Sequence, residues 1–416
     1  MKQNLVPTLR FNGFIDKWEV VKLDHVISSI TSGKSVNSLD NPISGTLQVG
    51  VLKTSAVSGG YFIPSENKQV VDDEIQLVGC QVERDTFIVS RMNTPYLVGE
   101  VGYVERSYEN LYLPDRLWKV RTKSSRVYTR FLALLLSSMR YQNNISSIAT
   151  GTSGSMKNIS KPNFLNLKIA LPSLPEQQKI AAFLTAVDGR LRALRRKREL
   201  LEAYKRGVMQ RVFVDPVAAK RQNRKSNYAM PYVTLAKIAK RSTSKNSENN
   251  VHKVLTNSAS DGIVNQADYF DKEIANSKNL QGYFIVKPGD FVYNPRLSNL
   301  APVGPINRNH LDTGVMSPLY TVFRILKGHP PFYEQFFKST AWHRHMHSVA
   351  NFGARHDRMN ITNENFMSMP VPNPSVDLQR HIASSLSAID DRMTLLQRQL
   401  AGGEAFKRGL LQQMFV

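Results

Sequence analysis

The sequence holds a single cysteine, Cys80, so neither an internal disulfide nor a CxxC metal site can form, as expected of a chain in a reducing compartment. Acidic residues are outnumbered, 33 against 55 Lys plus Arg, which leaves a formal charge of +22 and a pI near 10.0. A charge of that size favours a polyanionic partner, above all double-stranded DNA or another nucleic acid. Long apolar runs are missing too. The opening MKQNLVPTLR lacks the apolar region of a signal peptide. The longest aliphatic run, Phe131 to Leu136, is far shorter than the roughly 20 residues that cross a bilayer. The expectation is a cytoplasmic protein with no membrane partner.

Against those absences stands an internal repeat. The stretch from Gly151 to Val214 aligns without a gap on that from Gly353 to Val416, at a constant offset of 202 residues. Asn158-Ile159 pairs with Asn360-Ile361, Gln177 with Gln379, Asp188 with Asp390, and Ala203-Tyr204-Lys205-Arg206-Gly207 with Ala405-Phe406-Lys407-Arg408-Gly409. A repeat on this scale fixes architecture first, and here it implies two similar halves.

Within each copy the apolar spacing alternates between four and three. Ile180, Leu184, Val187, Leu191 and Leu194 begin the first seam, and Ile382, Leu386, Ile389, Met393 and Leu396 the second. That period predicts a long helix with one narrow apolar seam packed on another helix, most simply its own copy. About 35 residues at 1.5 Å each make a rod of roughly 50 Å. Gly402-Gly403 replaces Leu200-Leu201, which predicts a weakened or kinked second helix.

The residues ahead of each helix are rich in Val, Ile, Thr, Tyr and Gly in short alternating runs, such as Thr86-Phe87-Ile88-Val89 and Gly282-Tyr283-Phe284-Ile285-Val286. They read as mixed α/β domains. These two stretches echo each other at an offset of 205, with Asp85, Arg91 and Val98-Gly99 over Asp290, Arg296 and Val303-Gly304. The predicted layout is an N-terminal domain over 1–158, a helical region over 159–214, a basic linker over 215–230, a second domain over 231–360 and a second helical region over 361–416. The fold class is α/β, with two mixed domains and two long antiparallel helices.

Polar loops supply the candidate DNA contacts. Arg91, Asn93 and Thr94 follow a predicted strand and precede Pro95. An Arg fork there suits guanine O6 and N7, and an amide suits adenine N6 and N7. The corresponding place in the second half holds Arg296, Ser298 and Asn299. Ser32 with Lys34, and Lys53 with Thr54, lie on further polar loops. The segments just before the helices offer Ser153, Ser155 and Lys157 in one copy and Arg355, His356 and Arg358 in the other. Small and basic side chains suit close approach to phosphates and base edges.

The run Leu171-Pro172-Ser173-Leu174-Pro175-Glu176-Gln177-Gln178-Lys179-Ile180-Ala181, followed by a helix closing on Tyr204-Lys205-Arg206-Gly207, resembles the central conserved region of type I restriction-modification specificity subunits. So does Arg91-Met92-Asn93-Thr94-Pro95-Tyr96-Leu97-Val98-Gly99. The resemblance implies two target recognition domains, each reading half of a split sequence. It also implies paired helices that act as a ruler and dock two methyltransferase subunits, to which restriction/translocase subunits add. Asp377-Leu378-Gln379-Arg380 departs from Pro175-Glu176-Gln177-Gln178, which makes the first helix the more standard docking surface.

Catalytic motifs fail on inspection. The first glycine of a P-loop ending in Gly33-Lys34-Ser35 would fall on Ser28. His343, His345 and His347 alternate in a helical stretch, where i and i+2 point apart. His356-Asp357 resembles a metal-hydrolase pair, yet its repeat counterpart is Gly154-Ser155. Asn294-Pro295-Arg296 and Asn373-Pro374-Ser375 miss the Asn-Pro-Pro-aromatic pattern of amino-methyltransferases. No active site, metal or cofactor is expected. Two rival readings are a stand-alone DNA-binding protein that dimerises through the coiled coil, and a DNA-processing enzyme.

Overall fold

The computed structural model describes residues 5–151, 155–214, 230–269, 280–351 and 357–416. They form two compact units, one comprising Met1–Arg195 with Arg398–Val416 and the other Arg196–Gln397. Each division falls inside a 39-residue helix, Leu174–Val212 or Val376–Met414. Arg195 and Gln397, the two cut points, are 202 positions apart, the offset of the repeat. A unit therefore consists of one recognition domain, the first part of the helix that follows it and the last part of the other helix.

In the first unit a six-stranded sheet runs in the order Ile27–Ser32, Leu117–Thr122, Thr86–Ser90, Val101–Val104, Tyr61–Phe62 and Val57–Ser58. Its central strand, Thr86–Ser90, is buried at every residue, as a strand with both faces covered should be. The aliphatic run became the helix Thr129–Leu136, in which all residues but Arg130 are buried. Each large apolar side chain so buried contributes about 1.5–3 kcal/mol, so this short helix is a main source of stability for the unit. Among the described residues, no helix is long and apolar enough to cross a membrane. Strand Glu19–Lys22 pairs antiparallel with Lys168–Leu171, tying the start of the domain to the segment that enters the long helix. The core gathers Trp18, Phe131 and Phe164 with Ile180, Leu184, Leu410, Met414 and Phe415 from the two helix segments.

The second unit repeats that entry strand, with Tyr232–Thr234 paired to Pro370–Pro372. Its four-stranded sheet runs Ala239–Arg241, Thr321–Ile325, Phe291–Tyr293, Ile306–Arg308. Aromatics fill the core. Phe291 stacks on Phe323 with ring centroids 5.5 Å apart, and Phe337, Trp342 and Phe366 surround them edge-on or nearby. Met209 and Phe213 from the end of one long helix, and Ala383 and Leu386 from the start of the other, complete it.

Within each unit the two helix segments run antiparallel. Arg195 meets Glu404 at 2.7 Å and Lys407 meets Asp188 at 2.7 Å in the first unit, while Lys205 meets Asp390 in the second. Ile180, Leu184, Leu191, Leu386 and Leu396 are buried, and Val187, Leu194, Ile382, Ile389 and Met393 are half-buried. The second helix is unbroken at Gly402-Gly403, contrary to the expected kink. The reason is steric. A Cβ at Gly403 would sit 2.7 Å from Leu191 Cδ2, so glycine there lets the facing leucine fill the seam.

Candidate nucleic-acid interface

Two loops that lie far apart in the sequence are joined in the first unit. Strand Met92–Asn93 pairs antiparallel with Lys157–Asn158, and Ile159 N donates to Arg91 O at 2.9 Å. The Arg91 guanidinium donates through Nε to Asp115 O at 2.7 Å and through a terminal nitrogen to Asn158 Oδ1 at 3.3 Å. Asp115 also accepts from Ser35 Oγ at 2.6 Å, so the loop carrying Ser32 and Lys34 joins the same cluster. Lys34 and Thr94 are exposed there, and Lys157 is half-buried.

The second unit joins the corresponding two loops in a different register. Met359 N donates to Pro295 O at 3.0 Å and Leu297 N to Asp357 O at 2.9 Å, with Arg296 and Arg358 bridged antiparallel. Arg296, Ser298 and Asn299 are exposed. Beside them opens a cavity of about 350 Å³, walled among others by Asn257, Asn294, Arg296, Ser298, Tyr320 and Arg358. Val98-Gly99 and Val303-Gly304, which the sequence aligned, close both loops. Gly99 and Gly304 have φ of 87° and 80°, and a Cβ at Gly304 would lie 2.0 Å from Asn294 O.

Several expected contacts sit differently. Asn93 is buried, its Nδ2 donating to Ser90 Oγ and its Oδ1 accepting from Thr94 N. It shapes the loop, which departs from the base contact expected of it. The guanidinium of Arg91 is likewise engaged inside the junction. Lys53 pairs with Glu66 at 3.9 Å and Thr54 starts the turn Thr54–Ala56, beside a strand of the separate four-stranded sheet. Ser155 is exposed. Ser153, Arg355 and His356 lie outside the described residues.

Elsewhere in the first unit an acidic group is drawn into an internal pair. Glu83, hydrogen-bonded by Lys119 at 2.7 Å and also by Arg121, is held below the usual carboxylate range by those bonds. In the helix His343–Val349, burial pushes the His343 imidazole down to about 4, with His347 adding to the effect. His345 Nε2 lies 2.9 Å from Asn365 O, so these two rings are engaged in different directions. Among the described residues no group of His, Cys, Asp and Glu is arranged to hold a metal.

In the Pro-Glu-Gln-Gln motif Glu176 and Gln177 are internal, while Pro175 and Gln178 are exposed. Gln177 is buried, accepts from Tyr128 N at 2.9 Å and donates to Pro172 O at 2.9 Å. Gln379 does the same, accepting from His329 N at 2.7 Å and donating to Pro374 O at 2.9 Å. Glu176 is buried against Arg10 at 2.8 Å, while its counterpart Leu378 is partly exposed. The glutamine is common to both copies because both need this bracket between domain and helix. The glutamate serves an arginine that belongs to the first unit alone. Sequence reading missed Asp115, whose linking role depends on a backbone carbonyl and has no pattern.

Two α/β units, each with a pair of joined loops and packed on segments of the two long helices, define the class of fold. Residues 15–203 match the family described as type I restriction modification DNA specificity domain. The chain is 28% identical over 210 residues to the type I restriction enzyme MjaVIII specificity subunit of Methanocaldococcus jannaschii, covering 50% of this chain and 48% of that one. It is 24% identical over 163 residues to the EcoEI specificity subunit of Escherichia coli, covering 39% and 27%. The matched stretches thus span half or less of these relatives. Along its whole length the fold is that of the type I restriction-modification S subunit from M. genitalium, with a TM-score of 0.60, 16% identity and 99% of both chains covered. A chain from a structure described as concerning complex assembly of the type I R-M system gives 0.51 at 18% identity, covering 97% and 98%. Residues 15–203 thus match the type I restriction modification DNA specificity domain, and the chain as a whole has the fold of that S subunit.

Proposed function

We propose that the chain is the DNA-reading subunit of a type I restriction-modification complex in the cytoplasm, with no catalytic site of its own. Each unit reads one half of a split, asymmetric sequence through its paired loops. The long helices dock two methyltransferase subunits, and restriction/translocase subunits join that assembly. The observation that carries this reading is the recurrence, in both units, of one loop junction built on non-identical side chains. Arg91 is held by Asp115 and Asn158 in one, while its repeat counterpart Arg296 stands exposed in the other. A common scaffold with different contact groups is what reading two different half-sites requires, since base-edge patterns in the major groove are specific. The net charge of +22 supplies attraction to phosphates that is independent of sequence.

The test is a domain exchange. Replacing residues 1–150 by the matching segment of another specificity subunit is expected to change one half of the methylated sequence and leave the other intact. If both halves changed, or neither, the modular assignment would be wrong. The enzyme alternative is addressed by the purified chain, which is expected to leave DNA unmodified with a methyl donor or a divalent metal.

A further inference from the structure

The helix seam contains the same charged pair twice, exchanged between the helices. In the first unit Lys407 Nζ lies 2.7 Å from Asp188 Oδ1, with the side chains 10% and 5% exposed. In the second, Lys205 hydrogen-bonds Asp390. Asp188 and Asp390 are 202 positions apart, and so are Lys205 and Lys407. Each helix thus carries the aspartate in its first part and the lysine in its last, and each unit receives one of each.

A third group, from the recognition domain, closes on each pair. Tyr61, on strand Tyr61–Phe62, donates to Asp188 Oδ1 at 2.7 Å and accepts from Lys407 Nζ at 2.9 Å, its ring 4.2 Å from that nitrogen. In the second unit the role falls to helix Pro330–Phe337, whose Gln335 Nε2 donates to Asp390 Oδ2 at 3.1 Å; Lys338 stands 3.9 Å from the same oxygen. Tyr61 and Gln335 share no sequence position in the repeat, yet both meet the duplicated aspartate.

We propose that Asp188–Lys407 and Asp390–Lys205 are register pins. Within its unit, each pair fixes how the two helix segments align and where the recognition domain seats on them, and so sets the half-site spacing the protein accepts. The physical argument is one of specificity. A leucine seam repeating every heptad buries apolar against apolar whether or not it slips by seven residues. A buried charge does not tolerate the slip, because any other register leaves it without a partner in the seam; this holds most strongly for Asp188–Lys407, since the Lys205 and Asp390 side chains are 13% and 32% exposed. The attraction within such a pair is largely offset by desolvation, so its contribution lies in excluding alternatives more than in net stability. These are positioning residues, and their effect on spacing rests on the DNA-reading function proposed above.

Two measurements on the full chain separate the two claims. For register, nitroxide labels are placed at the exposed Ala193 and Ala405 of the first unit, with Cys80→Ser, and their separation is measured. The parent protein is expected to give one distance. Asp188→Asn with Lys407→Met is expected to add a second population displaced by about 10 Å, one heptad of rise. The charge exchange Asp188→Lys with Lys407→Asp is expected to restore the single distance, and it keeps the test available should the neutral variant not fold. An unchanged single distance in a folded neutral variant would overturn the proposal.

For spacing, the subunit is expressed with its methyltransferase on a plasmid library of half-sites separated by different spacers. The expectation is at least a tenfold gain in methylation at off-length spacers when both pins are neutralised, reversed when both are charge-exchanged. Wild-type spacer preference in the neutralised protein would contradict the pin's role in reading. A register shift on neutralisation, together with a parent protein that methylates no split sequence, would leave the pins standing and refute the DNA-reading assignment instead.

Discussion

At the residue scale, Gln177 and Gln379 are demanding positions, because each side chain bonds a backbone N–H and a backbone carbonyl at the junction. Gln177→Ala or Gln379→Ala removes the bonds to a part-buried N–H and a buried carbonyl, and is expected to cost about 1–3 kcal/mol, read as a lowered urea midpoint at unchanged slope. Arg91 and Arg296 differ in kind although the repeat aligns them. Arg91→Ala breaks two internal hydrogen bonds and is expected to lower both stability and DNA binding. Arg296→Ala, at an exposed side chain, is expected to lower specific binding about tenfold or more with the melting curve unmoved, as a lost base contact of about 1–3 kcal/mol would. Equal melting losses in both variants would remove the distinction. His343 gives a pH signature. Its folded pKa of about 4 lies below that of the free side chain, so between pH 6.5 and 4 the unfolded chain binds a proton that the native one does not. Stability is therefore expected to fall as pH drops through that window, and His343→Gln should flatten the fall in denaturant titrations at pH 7 and 5.

At the scale of elements, the adjacent glycines of the second helix make opposite predictions. Gly402→Ala meets nothing within 4 Å and is expected to stabilise by about 0.5–1 kcal/mol, the ordinary gain in helix propensity. Gly403→Leu drives a side chain into Leu191 and is expected to destabilise by about 1–3 kcal/mol through overpacking, both read by thermal melts. From sequence alone the pair looked like a single weak point, because propensity is a local property and the facing leucine belongs to another segment. The long helices were legible because their signal is periodic and sustained. Lys205 and Lys407, which the repeat aligns, face the duplicated aspartates. The strand Thr86–Ser90 and the loops after it were legible from composition and turn residues. The order of the six-stranded sheet was not, since strands as short as Val57–Ser58 and Tyr61–Phe62 carry no period, and the second of them joins the sheet through the distant Tyr103. The burial of Asn93 was hidden for the same reason: an amide in a polar loop reads as exposed until the serine behind it is placed.

For the whole molecule, duplication is the organising fact. The compact units are cut at equivalent positions, each borrows the end of the other's helix, and each brackets its domain with an equivalent glutamine and an equivalent aspartate-lysine pair. The repeated glutamine and aspartate-lysine pair face the interior of each unit, and the exposed loop side chains differ between the units. Such a division suits a common frame that presents two different readings. The most direct test of that claim is base-resolution methylation mapping of the source genome with and without this gene. The account predicts that one split, asymmetric motif, methylated on adenine in both halves, disappears when the gene is removed. Loss of a continuous motif, or of an unsplit palindrome, would contradict it.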